Sequence, residues 1–261
     1  MKRFAMLLVL SGVAAGARAQ LPFVTDDAAV TERGRWHFEY SNQYSDLPHT
    51  ALPDVRQDTN DFVIQYGLLR NLEVNVDFPL LYIQRAEGAP IDSAFGLGDL
   101  DLAAKYRLIC EDPDGARPAF TVIGAVELPT GNAKNQLGSG FTDVALNTAT
   151  QKTFFEATVV HLNVGYQFSG NTLTGAIGIR TPGHIVTGGL SVTQGISPTL
   201  LLGIDVNGAQ VRTAHGVNRE LQLTVGGSVS LAQKTTLDFA VLAGRYDSPR
   251  YGILLGMSYS P

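Results

Sequence analysis

The sequence predicts an all-β protein, an antiparallel transmembrane β-barrel of twelve strands, and three observations carry that expectation. In "NLEVNVDFPL", Leu72, Val74, Val76, Phe78 and Leu80 take one parity and Asn71, Glu73, Asn75 and Asp77 the other. This is the period-two signature of a strand with one apolar and one polar face. The pattern recurs in segments mostly longer than the five or six residues usual in globular strands, and matching the roughly 9 to 11 that a tilted membrane strand needs. Aromatic residues also gather at the two ends of these segments, as expected where lipid meets water.

Twelve segments are expected as strands: 34–44, 56–68, 71–81, 98–109, 117–129, 140–152, 157–169, 184–194, 199–211, 218–231, 235–245 and 251–260. In the first, Trp36, Phe38, Tyr40 and Tyr44 oppose Arg35, His37, Glu39 and Gln43. In the fourth, Leu100, Leu102, Ala104, Tyr106 and Leu108 oppose Asp99, Asp101, Lys105 and Arg107. The seventh sets Val160, Leu162, Val164, Tyr166 and Phe168 against His161, Asn163 and Gln167, and the tenth sets Leu221, Leu223 and Val225 against Glu220, Gln222 and Thr224. Connections after even-numbered strands are mostly short ("RN", "LAQKT", at most "CEDPDGAR"), while 82–97 and 170–183 are long. Short periplasmic turns and longer external loops are the habit of outer-membrane barrels. With the first strand running outward, Trp36, Tyr66, Tyr106, Phe120 and Tyr259 form the periplasmic girdle, and Tyr44, Phe78, Tyr82, Tyr166, Phe168 and Tyr251 the external one.

Composition excludes other classes. Only 16% of the 261 residues are charged, well below an ordinary soluble domain, yet past residue 20 no apolar run reaches the roughly 18 of a membrane helix. A net charge of −5 with no basic block gives no reason to invoke nucleic acid. Lys2 and Arg3, an apolar stretch and Ala17-Arg18-Ala19 read as a signal peptide over residues 1–19, cleaved before Gln20 and implying export to the outer membrane. Cys110, the single cysteine, closes no intrachain disulfide. The domain plan is then residues 1–19 as signal, 20–33 as a polar N-terminal segment, and 34–261 as barrel. The segment 20–33 is either a lumen plug, with Asp26 and Asp27 pairing with Lys105, Arg107 or Arg35, or a periplasmic tail.

The apolar parity is expected to meet lipid, since a closed barrel pairs every backbone group and leaves no edge. A soluble sandwich, whose apolar faces meet one another, would have shorter strands and a less aromatic outer parity. The polar parity then lines an acid-rich interior containing Glu73, Asp77, Asp99, Asp101, Lys105 and Arg107. Glu73 should meet Lys105 or Arg107 as an ion-pair ladder near the periplasmic end, either bracing the wall or lining a narrow path that disfavours anions. Enzyme motifs are weak. "GLGDLD" precedes a strand instead of opening a helix, "LPTGNAKNQLGSG" lacks the lysine of a phosphate loop, and "DPDG" is a turn too short for calcium. No His/Cys cluster has metal spacing, and no cofactor is implied. An outer-membrane lipid hydrolase would need a Ser/His pair on the outer wall, where His184 has the right parity but no evident serine.

Pro22, Phe23, Thr25, Asp26, Asp27, Gly34, Trp36 and Glu39 form one motif. Gly96, Gly98, Asp99, Leu102, Lys105, Tyr106 and Arg107 form a second, and Leu128, Pro129, Thr130, Gly131, Gly138, Gly140 and Asp143 a third. Together they resemble the outer-membrane transporters of the MetA pathway of phenol degradation, with Ala28 where proline is usual; the remainder beyond residue 150 follows by strand pattern only. The resemblance implies a barrel passing small hydrophobic or aromatic compounds, with outer-membrane lipid, the solute and the barrel-assembly machinery as partners. A structural or adhesion barrel binding through its loops is the alternative.

Overall fold

A computed structural model describes residues 21–155, 157–169, 183–213 and 216–261. The signal-peptide expectation and most of the expected loop 170–183 lie outside these residues. The strands are β1 (Trp36–Asp46), β2 (Asp54–Leu69), β3 (Leu72–Arg85), β4 (Ser93–Leu97), β5 (Leu100–Ile109), β6 (Ala119–Leu128), β7 (Asp143–Phe154), β8 (Thr158–Ser169), β9 (Gly183–Gly195), β10 (Leu200–Thr213), β11 (Gly216–Ala232), β12 (Thr235–Tyr246) and β13 (Tyr251–Tyr259).

Each strand pairs antiparallel with its neighbour in sequence, save that β4 and β5 do not pair with each other, and β1 also pairs with β13, with Phe38 opposite Tyr259, so the sheet closes on itself. Both β4 and β5 pair with β3, at Leu80↔Leu97 and Leu72↔Tyr106, and together fill one place in the wall. The result is a closed twelve-strand barrel. The expected fourth strand is thus two pieces, because Gly98 and Asp99 leave the ladder: the Gly98 N–H still bonds the Pro79 carbonyl at 2.8 Å, but Asp99 turns to a loop. The expected loop 82–97 is shorter than its sequence suggested, since β3 runs on to Arg85 and folds back through β4 as a hairpin.

Burial separates the two parities. Inward His37, Glu73, Lys105, Thr121, His161, Asp205 and Thr224 are buried, while outward Leu146, Phe168 and Leu255 are about 60% exposed and Trp36, Tyr106 and Tyr259 also lie open. Apolar surface girding the whole wall is far more than a water-soluble monomer displays, and lipid is the solvent that suits it. Outward aromatics pack along register lines: the Trp36 and Tyr66 ring centroids lie 4.6 Å apart with the rings tilted, and Phe62 stacks on Phe78 at 5.3 Å. One outward patch is polar. Asn42 donates to Asp58 at 2.7 Å and Tyr40 to Asn60 at 2.8 Å, so these groups satisfy one another beside the apolar band.

Candidate functional site

The interior is built from the inward parity and from residues 21–33, which run among its side chains. Buried Asp205, on β10, accepts from the Val24 and Thr25 N–H groups at 2.7 and 2.9 Å and from the Thr25 hydroxyl at 2.7 Å. Asn163, on β8, accepts from the Asp26 N–H and donates to the Asp26 carbonyl at 3.0 Å. The Ala28 N–H donates to Gln151 on β7, its carbonyl accepts from Thr121 on β6, and the Thr31 N–H donates to Glu73 on β3 at 2.6 Å. The segment leaves beside Gly67, paired with Arg33 in parallel. These partners lie on opposite arcs of the wall, so the chain crosses the lumen.

The wall is shaped to receive it. A Cβ on Gly67 would fall on the Glu32 and Thr31 carbonyls, one on Gly189 on the Thr25 hydroxyl, and one on Gly203 would come within 2.7 Å of the Phe23 ring. All three glycines have inward parity, and each occupies a spot where the segment passes. Ala28 packs with Ala119, Ile123 and Ala149.

Lys105 is the electrostatic centre. Its Nζ donates to Asp26 at 2.8 Å and to Asp27 at 2.9 Å. Glu73 is its register partner across β3 and β5, but the Glu73 carboxylate is taken by Thr31. The expected Glu73–Lys105 meeting holds in register, but no ion pair joins the two side chains among the described residues, because the inserted segment engages each of them. Burial pushes the Asp27 carboxyl up to about 6, against the lowering field of Lys105 and with Asp26 and Glu73 adding to the rise.

Arg107 does not join this centre. It stays in register with Thr121 near the periplasmic end of β5, and its guanidinium donates to the Arg70 carbonyl at 3.4 Å, with no ion pair to Asp26 or Asp27 among the described residues. Arg35 is exposed, and among the described residues it forms no ion pair with Asp26 or Asp27. Asp77 and Asp101 face each other across β3 and β5, with Asp61 of β2 beside Asp77, and make an acidic arc away from Lys105.

Asp99 does other work than expected. Its carboxylate accepts from the Gly131 N–H at 2.8 Å and the Ser139 N–H at 2.6 Å, and the Thr130 hydroxyl bonds the Gly98 carbonyl. It clamps the loop of residues 129–142 against β4 and β5. A Cβ on Gly138 would collide with the Asp99 carboxylate, which explains a glycine there. Leu137 of this loop packs on Leu81, Ile83 and Ala94, and Arg85 holds the Asn135 carbonyl at 2.9 Å while pairing with Asp54. Two of the motifs quoted from the sequence thus meet in one structure.

Sequence reading missed that the external half of the interior carries buried aliphatic groups among its polar ones, such as Ser45, Gln57, Asp143 and Gln167. Leu81, Ile83, Ile185, Val211, Leu242 and Leu254 all carry inward parity and are buried. The signal was the loss of alternation at "PLLYI", where Leu80 and Leu81 place apolar groups on both faces. His184, the hydrolase candidate, has its Nδ1 2.6 Å from the Tyr166 hydroxyl and its ring against Phe168.

No curated protein matches the chain. An outer membrane channel from Pseudomonas putida F1 superposes with a TM-score of 0.70 at 15% identity, covering 90% of this chain and 98% of that one. The NanC porin gives 0.58 at 7% identity, covering 85% and 98%. The β domain of the Bordetella autotransporter BrkA gives 0.55 at 11%, covering 87% and 99%. These likenesses establish the outer-membrane barrel architecture, and the third marks that it also serves proteins other than porins. The family model described as "Putative MetA-pathway of phenol degradation" matches residues 49–259, reaching through the second half where the sequence motifs had run out, and the chain belongs to that family.

Proposed function

We propose that the protein is a passive outer-membrane channel for small hydrophobic or aromatic compounds, exported through a cleaved signal peptide over residues 1–19, inserted by the barrel-assembly machinery and needing no cofactor. The observation that supports this best is the interior itself. In the external half of the closed barrel, Leu81, Ile83, Ile185, Val211, Leu242 and Leu254 form aliphatic patches among polar groups such as Ser45, Gln57 and Gln167, and the N-terminal segment crosses the lower half. Aliphatic patches desolvate an uncharged solute at little cost, whereas a charged one would lose hydration without a partner. Family membership agrees with the reading. The reading assigns the chain no catalysis, and the His184 ring is engaged by the Tyr166 hydroxyl.

Planar-bilayer recording tests it. The channel reading expects small discrete conductance steps that grow when residues 20–33 are removed. Silence from both forms would favour the alternative, a structural or adhesion barrel that binds through its external loops.

A further inference from the structure

Above the inserted segment lies a cavity of about 420 Å³, lined by Val24, Thr25 and Asp26 from the segment and by the wall of β6 to β10. Its place follows from register. The segment bonds Thr121, Gln151 and Asp205, while the cavity touches Ile123, Asn147 and Asn207, each nearer the external end of the same strand. The segment is therefore the floor.

The lining has two characters. Val24, Ile123 and Ala209 are apolar and stand beside bare backbone at Gly188, Gly189 and Gly208. Next to them in register are amide and hydroxyl groups, Asn147, Asn163, Thr187 and Asn207. Asn163 is committed to the segment backbone. The rest are free to act on something else. Among the described residues, Asn207 Nδ2 has no hydrogen-bond partner and no hydrogen bond engages the Asn147 or Thr187 side chains, which both lean over Gly165. Polar groups at an enclosed site are normally satisfied, so unmet ones converging on one cavity point to an absent partner. The nearby charges are already matched, Asp26 by Lys105 and Asp205 by the Thr25 and Val24 donors.

We propose that this cavity is a resting site for a small uncharged solute with an apolar body and one hydrogen-bonding edge, such as a hydroxyl or carbonyl, seated on the N-terminal segment with its polar edge toward Asn147, Thr187 and Asn207. The inference rests on the channel reading and names the solute chemistry that the channel selects. Volume agrees with it. An apolar cavity of about 150 Å³ admits benzene, so this one holds a substituted ring with water beside it. Carboxylates are refused, because no unpaired cation waits for them and Asp26 forms part of the floor.

The test uses the full processed chain in lipid nanodiscs, with fluorine NMR titration of 4-fluorobenzyl alcohol, 4-fluorotoluene and 4-fluorobenzoate. The alcohol should bind saturably, the toluene about tenfold more weakly for want of the hydrogen bond, and the benzoate not at all. Asn147→Leu with Thr187→Val should weaken alcohol binding at least about tenfold while leaving toluene binding intact. Asn207→Leu provides a second, single change with the same expected direction. Equal binding of alcohol and toluene, or alcohol binding untouched by all three substitutions in folded barrels, overturns the proposal. Solute flux in liposomes is measured in parallel: flux without the binding pattern sinks the site and spares the channel, and the binding pattern without flux sinks the channel alone.

Discussion

Lys105 is a buried ammonium whose two nearest carboxylates come from a segment that is not part of the wall. Removing one partner of a buried ion pair strands the other's charge, which costs about 3 to 5 kcal/mol. Lys105→Met therefore leaves Asp26 and Asp27 uncompensated and should release the segment, raising single-channel conductance several-fold with the barrel still folded by heat-modified gel mobility. Asp27 adds a pH dependence of definite sign. Its pKa in the docked segment, about 6, lies above the ordinary aspartate value of 3.8. Docking thus takes up a proton: the Asp27 contribution is fully present below pH 3.8 and is lost as pH rises through 6. Conductance should fall when pH is lowered from 7.5 to 4.5, and Asp27→Asn should flatten that change. The sequence already paired Asp26 and Asp27 with a cation, but offered three, Arg35, Lys105 and Arg107. Parity could not choose among them, because all three share it, and how far along the lumen the inserted segment runs, which decides which cation its carboxylates meet, is not encoded in strand alternation.

At the level of elements, the loop of residues 129–142 hangs on one carboxylate. Charge-assisted bonds from the Gly131 and Ser139 N–H groups contribute about 1.5 to 3 kcal/mol each. Asp99→Ala should free this loop, seen as protease cleavage within 131–139 on intact cells expressing the variant and absent with the parent. The wall should survive, because the β3–β4 and β3–β5 ladders do not depend on Asp99. The N-terminal segment is a separable element too. Gly67→Val puts a branched side chain where the Glu32 and Thr31 carbonyls lie, and should raise leakage of small neutral solutes through loss of the segment's seat. Strand placement was legible because outward and inward residues differ in kind along nearly every strand. What was not legible arose where that contrast stops. At "PLLYI" apolar residues occupy both faces, so β3 read as ending near Leu81, four residues before its true end at Arg85. Asp99 has the parity of a lumen acid, and only the fold shows that its nearest donors are backbone N–H groups from a distant loop.

For the whole molecule, closure matters more than any single contact. The pairing of β1 with both β2 and β13 removes the last sheet edge, and the polar and apolar parities then become an inside and an outside. The crossing segment and Lys105 occupy the periplasmic half of the interior, and the external half sets aliphatic groups such as Leu81, Ile185 and Leu254 among polar ones. A path of that kind should pass uncharged molecules with apolar bodies faster than ions of equal size. Liposome swelling with purified protein and a size-matched panel of neutral aromatic, cationic and anionic solutes measures this directly. The account predicts fastest entry for the neutral aromatics, slowest for the anions, and faster entry of all after residues 20–33 are deleted. Rates no greater than those of protein-free liposomes, with and without that segment, would contradict it.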